Sequence, residues 1–172
     1  MHTLYEMHSS GNCYKVMWVL EKLNVPYQRY RIDIMVGETQ TDKFKAINPN
    51  GKVPCLELPD GRSLSESNAI IYHLAEGTDL IPTDAYDRAQ MLQWMFFEQY
   101  SHEPYIAVAR FIAKYLGLPD DKKDEFKSKQ AGGHKALGVM EAQLKTSDYL
   151  AGNTLSIADI SIISMFITAS YG

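Results

Sequence analysis

The chain has 172 residues, of which 45% are hydrophobic and 22% are charged, and its formal net charge is −4. This composition is ordinary for a soluble globular protein, and the acidic balance argues against nucleic acid as a partner. No stretch approaches the roughly 20 apolar residues of a membrane span, and no basic start precedes an apolar segment, so we expect no membrane contact, no secretory signal and a cytoplasmic location.

The first half of the chain alternates between strand and helix patterns. Residues 2–7, HTLYEM, are predicted to form a strand, and residues 12–24 repeat apolar side chains at the helical period. Further strands are predicted at residues 26–33, 52–58 and 62–64, and helices at residues 41–47 and 65–75. The predicted order, β-α-β-α-β-β-α, is typical of an α/β domain.

The second half is predicted to be helical throughout. The composition becomes polar and turn-forming after Ala75, and beyond this stretch we find no convincing strand pattern. We therefore expect one domain at residues 1–77, a linker at residues 78–85 and an all-helical domain at residues 86–172. Pro104 is expected to bend or interrupt the first long helix of that domain.

Two local patterns predict packing and capping in the helical half. The aromatic cluster of Trp94, Phe96 and Phe97 is expected to form core or dimer contacts. Ser156 precedes an almost wholly apolar helix, and Asp159 follows three residues later, which predicts a capping box with aspartate in place of glutamate.

Residues 47–54, INPNGKVP, form a turn-rich junction before a strand. Its Asn-Pro and Asn-Gly pairs favour turns, and Pro54 holds Val53 in an extended conformation. A plain junction explains this much. A cis bond between Val53 and Pro54 would instead leave the Val53 backbone free to pair with an extended peptide ligand.

Residues 64–70, LSESNAI, place Glu66 and Ser67 at the start of a predicted helix. A hydroxyl and free backbone N–H groups at this point can hold a carboxylate, while the acidic side chain can hold an ammonium group. The pair would suit the end group of an amino acid. The alternative is a helix cap and nothing more.

Four segments together resemble the glutathione transferase superfamily, in its order and spacing, over essentially the whole chain. They are SSGNCYKVMWVLEKLNVPY, INPNGKVPCLEL, LSESNAIIYHLA and YLAGNTLSIADI. The resemblance is to bacterial, serine-type members, with the subclass left open. The resemblance implies a thioredoxin-like N-terminal domain followed by an all-helical domain. It also implies glutathione as the co-substrate, a pocket for a hydrophobic electrophile between the domains, and a homodimer.

The resemblance also implies roles for individual residues. The S-x-N pattern places the catalytic hydroxyl at Ser10, with Asn12 as its helper. The chemistry needs a thiolate, and a thiol with a pKa near 8.5 is mostly protonated at neutral pH, so a hydroxyl donor and a positive helix end would both favour the reactive form. The expected glutathione-binding residues are Gln40, Lys52, Val53, Pro54, Glu66 and Ser67. Residues His102, Glu103 and Tyr105 are expected either to face the electrophile pocket or to take a solvated or interface position, and no metal is expected.

Three other side chains compete for the contact with sulfur. Some relatives use a cysteine in this region to form mixed disulfides, which would be Cys13, and tyrosine-type relatives would place their donor at Tyr5. Ser9 is the neighbour of the favoured serine. A Cys-x-x-Cys motif is absent from the sequence, so a dithiol cycle is excluded, and Cys55 is expected in the core.

The sequence leaves three functions open. The leading prediction is a transferase that conjugates glutathione to an electrophile, and the others are a glutathione-dependent disulfide reductase or peroxidase and a non-catalytic binding module. The chain ends at Gly172, whereas members of the superfamily continue through at least one more helix. We therefore expect the helical domain to be incomplete.

Overall fold

The computed structural model describes residues 1–167, with side chains described to residue 163; the last part of the predicted helical domain, residues 168–172, lies outside the described residues. The strands are β1 (His2–Glu6), β2 (Tyr27–Arg31), β3 (Cys55–Glu57) and β4 (Ser63–Ser65). The helices are α1 (Gly11–Lys22), α2 (Asp42–Lys45), α3 (Ser67–Ala75), α4 (Ala85–Phe97), α5 (Glu103–Lys114), α6 (Lys123–Leu144) and α7 (Ile157–Ile167). The predicted fold class, α/β and then helical, is confirmed.

The four strands form one mixed sheet in the order β2-β1-β3-β4, in which β1 runs parallel to β2 and antiparallel to β3. Leu4 of β1 pairs with Leu56 of β3, and both are fully buried in the main core. Helix α1 contributes Val16, Val19 and Leu20 to the same core. Because helix α1 follows β1 directly, its first turn lies at the carboxyl end of a central strand, where ligands of α/β sheets bind.

The helical half packs on the sheet domain through helix α7, whose apolar start lies against helix α1. The predicted cap is present, since Asp159 Oδ2 accepts hydrogen bonds from the backbone N–H and the hydroxyl of Ser156, both at 2.9 Å. The predicted interruption is also present. A π-helical turn, Glu98–His102, separates helices α4 and α5 just before Pro104. Within residues 1–167, no helix combines the length and the apolar character needed to span a membrane.

Candidate functional site

Ser10 is the residue that begins helix α1. Its Oγ accepts a hydrogen bond from the backbone N–H of Cys13 at 3.3 Å, which is the ordinary role of a serine at a helix N-terminus. Since the oxygen is the acceptor in this bond, the hydroxyl proton is available for another partner. That partner would lie in the cavity that the helix faces.

Two cavities meet beside this helix end. The larger, about 490 Å³, lies between the domains, with its wall formed on the sheet side by Ser10, Asn12, Gln40, Lys52 and Val53 and on the helical side by Glu103, Ala107, Arg110, Phe111 and Tyr115. The smaller, about 90 Å³, is lined by Asn12, Asn48, Lys52, Val53, Pro54, Glu66, Ser67, Gln99 and Glu103. Since four residues belong to both linings, the two cavities form one continuous groove.

The groove brings together the eight residues that the sequence predicted for catalysis and glutathione binding. Ser10 and Gln40 lie at the larger cavity, Glu66 and Ser67 lie at the smaller one, and Val53 belongs to both. The Val53–Pro54 peptide bond is cis. Within the described part of the chain, the Val53 backbone N–H and C=O make no hydrogen bond. The roles of these residues stay predictions, but their places in space are compatible with them.

A chain of hydrogen bonds links the two helix N-termini at the groove. The Ser67 hydroxyl at the start of helix α3 donates to Asn12 Oδ1 at 3.1 Å. The Asn12 amide in turn donates to Glu103 Oε1 at 2.8 Å, which ties the sheet domain to helix α5. Glu66 precedes Ser67 with a positive φ of 67°, and its side chain makes no capping hydrogen bond. Its carboxylate is exposed at the rim and accepts a hydrogen bond from the Asn50 amide at 3.4 Å.

A fully buried ion pair lies beneath these residues. Lys15 Nζ is 3.0 Å from Glu98 Oε1, and both side chains have no exposed surface. The same ammonium donates to Ser67 Oγ and to Asn68 Oδ1, each at 3.3 Å. Burial lowers the pKa of Lys15, while the neighbouring Glu98 carboxylate opposes that shift. The Lys15 amino group thus lies under the N-terminus of helix α3, on the side away from solvent.

Comparison with known proteins identifies the family. The model of the glutathione S-transferase N-terminal domain matches residues 4–79, and the model of the C-terminal domain matches residues 89–168. The chain belongs to the glutathione S-transferase family. The resemblance found in the four sequence segments is thereby confirmed.

Individual members of the family extend this similarity. The chain is 34% identical to glutathione S-transferase F10 of Arabidopsis thaliana, over 92% of this chain and 76% of that protein. A solved glutathione S-transferase from Pseudomonas fluorescens has a TM-score of 0.95 at 50% identity, over 98% of this chain and 84% of that one. The transferase URE2P6 of Phanerochaete chrysosporium, solved with oxidised glutathione, has a TM-score of 0.85 at 28% identity, over 98% of this chain and 79% of that one. Protein URE2 of Kluyveromyces marxianus is 38% identical, and the chain spans half of its length.

Two predicted pocket residues lie elsewhere. His102 is fully buried, and burial together with the charge of Lys15 lowers its pKa to about 4. The Tyr105 ring packs so closely on Gly132 of helix α6 that a side chain there would overlap it. Neither residue lines the two cavities. The face of helix α5 that lies toward the groove carries Glu103, Ala107 and, one turn further along, Arg110 and Phe111. Of the three expected residues, only Glu103 is at the site.

Two competitors of Ser10, Cys13 and Tyr5, are also placed away from the groove. Cys13 is fully buried, and burial raises the pKa of its thiol to about 11, so the reactive thiolate is not formed near neutral pH. Tyr5 lies at a separate cavity and donates its hydroxyl to Glu57 Oε2 at 3.0 Å; burial and this carboxylate raise its pKa to about 12. The Ser9 hydroxyl is 3.1 Å from the Tyr115 hydroxyl. Cys55 is buried, as expected.

Several residues of the site were not anticipated. In the sequence, Lys15 looks like an ordinary polar residue of an amphipathic helix, and Asn68 looks like an ordinary residue near the start of a helix. Arg110 and Tyr115 line the groove from helix α5 and from the residue just after it. The sequence feature that could have indicated this part of the wall is Arg110 itself, a charged residue within the apolar run IAVARFIA.

Proposed function

We propose that the chain binds glutathione along the groove and uses Ser10 to hold its thiol as the thiolate for attack on a second substrate. The observation that carries the proposal is the Ser10 hydroxyl, whose oxygen accepts from Cys13 and whose proton is left for the cavity. A hydroxyl donor stabilises the anion more than the neutral thiol, and the positive end of helix α1 acts in the same direction.

The three parts of glutathione would meet chemically matched groups. The γ-glutamyl carboxylate would lie at the Ser67 hydroxyl and the N-terminus of helix α3, and its ammonium would meet the Glu66 carboxylate. The cysteinyl part would pair with the free backbone groups of Val53 next to Pro54. The glycyl carboxylate would lie toward Lys52 and Gln40, at the opposite end of the groove.

Replacing Ser67 by alanine should weaken glutathione binding by about 1 to 3 kcal/mol, the range for removing one partner of a buried polar group. The hydroxyl is buried, and it connects Lys15 to Asn12, so its loss affects both neighbours. Isothermal titration calorimetry measures the change. Ser63→Ala, at the exposed first residue of β4, is the matched control and should bind as the unaltered protein does. An unchanged dissociation constant for Ser67→Ala would remove this site assignment.

The second substrate would enter the larger cavity. The leading proposal is conjugation to an electrophilic carbon. Reduction of a glutathione-containing disulfide is the second candidate. Two observations favour it: the cavity wall carries the charged residues Lys52, Glu103 and Arg110, and solved relatives were crystallised with oxidised glutathione. Turnover with a chlorinated nitrobenzene and with hydroxyethyl disulfide separates the two. Failure to bind glutathione-agarose would favour a non-catalytic module instead.

We also propose a homodimer, as in the family. Phe96 and Tyr100 lie one turn apart at the end of helix α4 and in the π-helical turn, with 70% and 87% of their surfaces exposed. Large aromatic side chains exposed together are typical of protein interfaces. The predicted domain boundaries and the cytoplasmic location stay predictions.

Replacing Phe96 by aspartate is expected to shift the protein from dimer to monomer at micromolar concentration, because a charge would be buried without a partner. Sedimentation velocity measures the change. Val36→Asp, at a residue with 73% of its surface exposed on the sheet domain, is the control and should leave the sedimentation coefficient unaltered. A monomeric unaltered protein would contradict the dimer proposal itself.

A further inference from the structure

The loop that carries Ser10 is fastened to the helical domain at Ser9, whose hydroxyl is 3.1 Å from the Tyr115 hydroxyl and whose carbonyl group makes two further hydrogen bonds. The Ser9 carbonyl oxygen accepts a hydrogen bond from Arg110 Nη2 at 2.8 Å and another from the Tyr115 hydroxyl at 2.9 Å. Both donors lie about a hundred residues further along the chain, on helix α5 and immediately after it. The loop between β1 and helix α1 is therefore held from outside its own domain.

The backbone at this point adopts a conformation that side chains disfavour. Ser9 has a φ of 61°, in the left-handed region, and no glycine is present to relieve it. Such a conformation persists where surrounding contacts over-determine it. The two donors on the Ser9 carbonyl supply such contacts, and the peptide that they fix is the one that ends in the Ser10 nitrogen.

The two donors also support one another. The Arg110 guanidinium lies 5.6 Å from the centre of the Tyr115 ring, within the range of a cation–π contact. The Tyr115 ring packs on Phe111 at 5.4 Å between centroids. All three side chains line the larger cavity, so the group that fastens the loop is also the wall that a second substrate would touch.

We propose that Arg110 and Tyr115 are positioning residues that set the direction of the Ser10 hydroxyl through the Ser9 carbonyl. The inference rests on the proposed function, because it concerns how well Ser10 stabilises the glutathione thiolate. Its consequence is that the helical domain controls thiol acidity on the sheet domain. A substrate or a substitution that moves Arg110 or Tyr115 would then change reactivity without touching the glutathione contacts.

Tyr115→Phe tests this inference with the smallest change, since it removes one hydroxyl and keeps the ring. We expect the pKa of the bound glutathione thiol to rise by up to about one unit, so that the thiolate fraction at pH 6.5 falls by up to about tenfold. The dissociation constant for glutathione should stay within about twofold, because the proposed binding contacts lie elsewhere. Ultraviolet difference titration measures the pKa, and calorimetry measures the affinity. Tyr86→Phe, at an exposed tyrosine of helix α4, is the control and should change neither.

The same substitution in a Ser10→Ala background separates positioning from a direct or merely structural role. If Tyr115 acts through Ser10, Tyr115→Phe should have no further effect on the thiol pKa once the serine hydroxyl is gone. An equal rise in both backgrounds, or no rise in either, would overturn the inference. A thiol pKa that Ser10→Ala itself leaves unchanged would instead overturn the proposed function, and the inference with it.

Discussion

Replacing Lys15 by methionine is expected to lower the free energy of unfolding by about 3 to 5 kcal/mol, the range for removing one partner of a buried ion pair. The Glu98 side chain has no exposed surface, so its carboxylate would be left in the interior without its cation. Ser67 and Asn68 would each lose a donor as well. Methionine has a similar volume, so the loss would reflect charge and hydrogen bonding more than packing.

Urea unfolding at a fixed protein concentration measures this effect, because assembly would otherwise alter the apparent stability. Lys123→Met is the matched control. Its ammonium pairs with Asp120 at 2.6 Å on the surface, where solvent screens the pair, and we expect no measurable change. Combining Lys15→Met with Glu98→Met should recover part of the loss, since neither charge is then left alone. A loss no greater than that of the control would contradict the prediction.

The helices, strands and turns of the sheet domain could be predicted because each depends on residues that are close together in the sequence. Strand alternation, the helical period of residues 12–24 and the turn residues of INPNGKVP each depend on neighbours a few positions away. Ser67 was found for the same reason, because it stands at a helix start, where a hydroxyl can hold a carboxylate, whereas Ser10 was placed by the S-x-N pattern of the family resemblance. Their juxtaposition in one groove was supplied by the family resemblance.

The buried network could not be predicted in this way. A lysine in an amphipathic helix is ordinarily exposed, and no pattern near Lys15 in the sequence indicates that Glu98 is its partner. The position of His102 and Tyr105 outside the groove has a related cause. In the π-helical turn the Glu103 N–H donates to the Glu98 carbonyl, one residue further than in an α-helix. Compared with an uninterrupted α-helix, the turn therefore shifts which residues of helix α5 face the groove.

Replacing Ser10 by alanine is expected to raise the pKa of the bound glutathione thiol and to reduce turnover at pH 6.5 by about tenfold for each unit of that rise. The loss should shrink as the pH increases, because above the raised pKa the thiol is ionised with or without the hydroxyl. The substitution also removes a helix cap, so its stability must be measured separately. Ser10→Thr, which keeps both the hydroxyl and the cap, should retain most of the activity.

Cys13→Ala decides between the serine mechanism and a cysteine mechanism, and we expect it to leave turnover and its pH dependence nearly unchanged. The Cys13 sulfur faces inward, where it accepts a hydrogen bond from the Met7 N–H at 3.4 Å, and burial raises the pKa of its thiol to about 11. A thiol held in this way neither ionises near neutral pH nor reaches the groove. Steady-state kinetics and mass spectrometry of the protein incubated with oxidised glutathione test both points. A glutathione adduct on Cys13, with activity lost in Cys13→Ala and kept in Ser10→Ala, would replace the proposed stabilisation of the thiolate by Ser10 with a mechanism in which a cysteine forms a disulfide with glutathione.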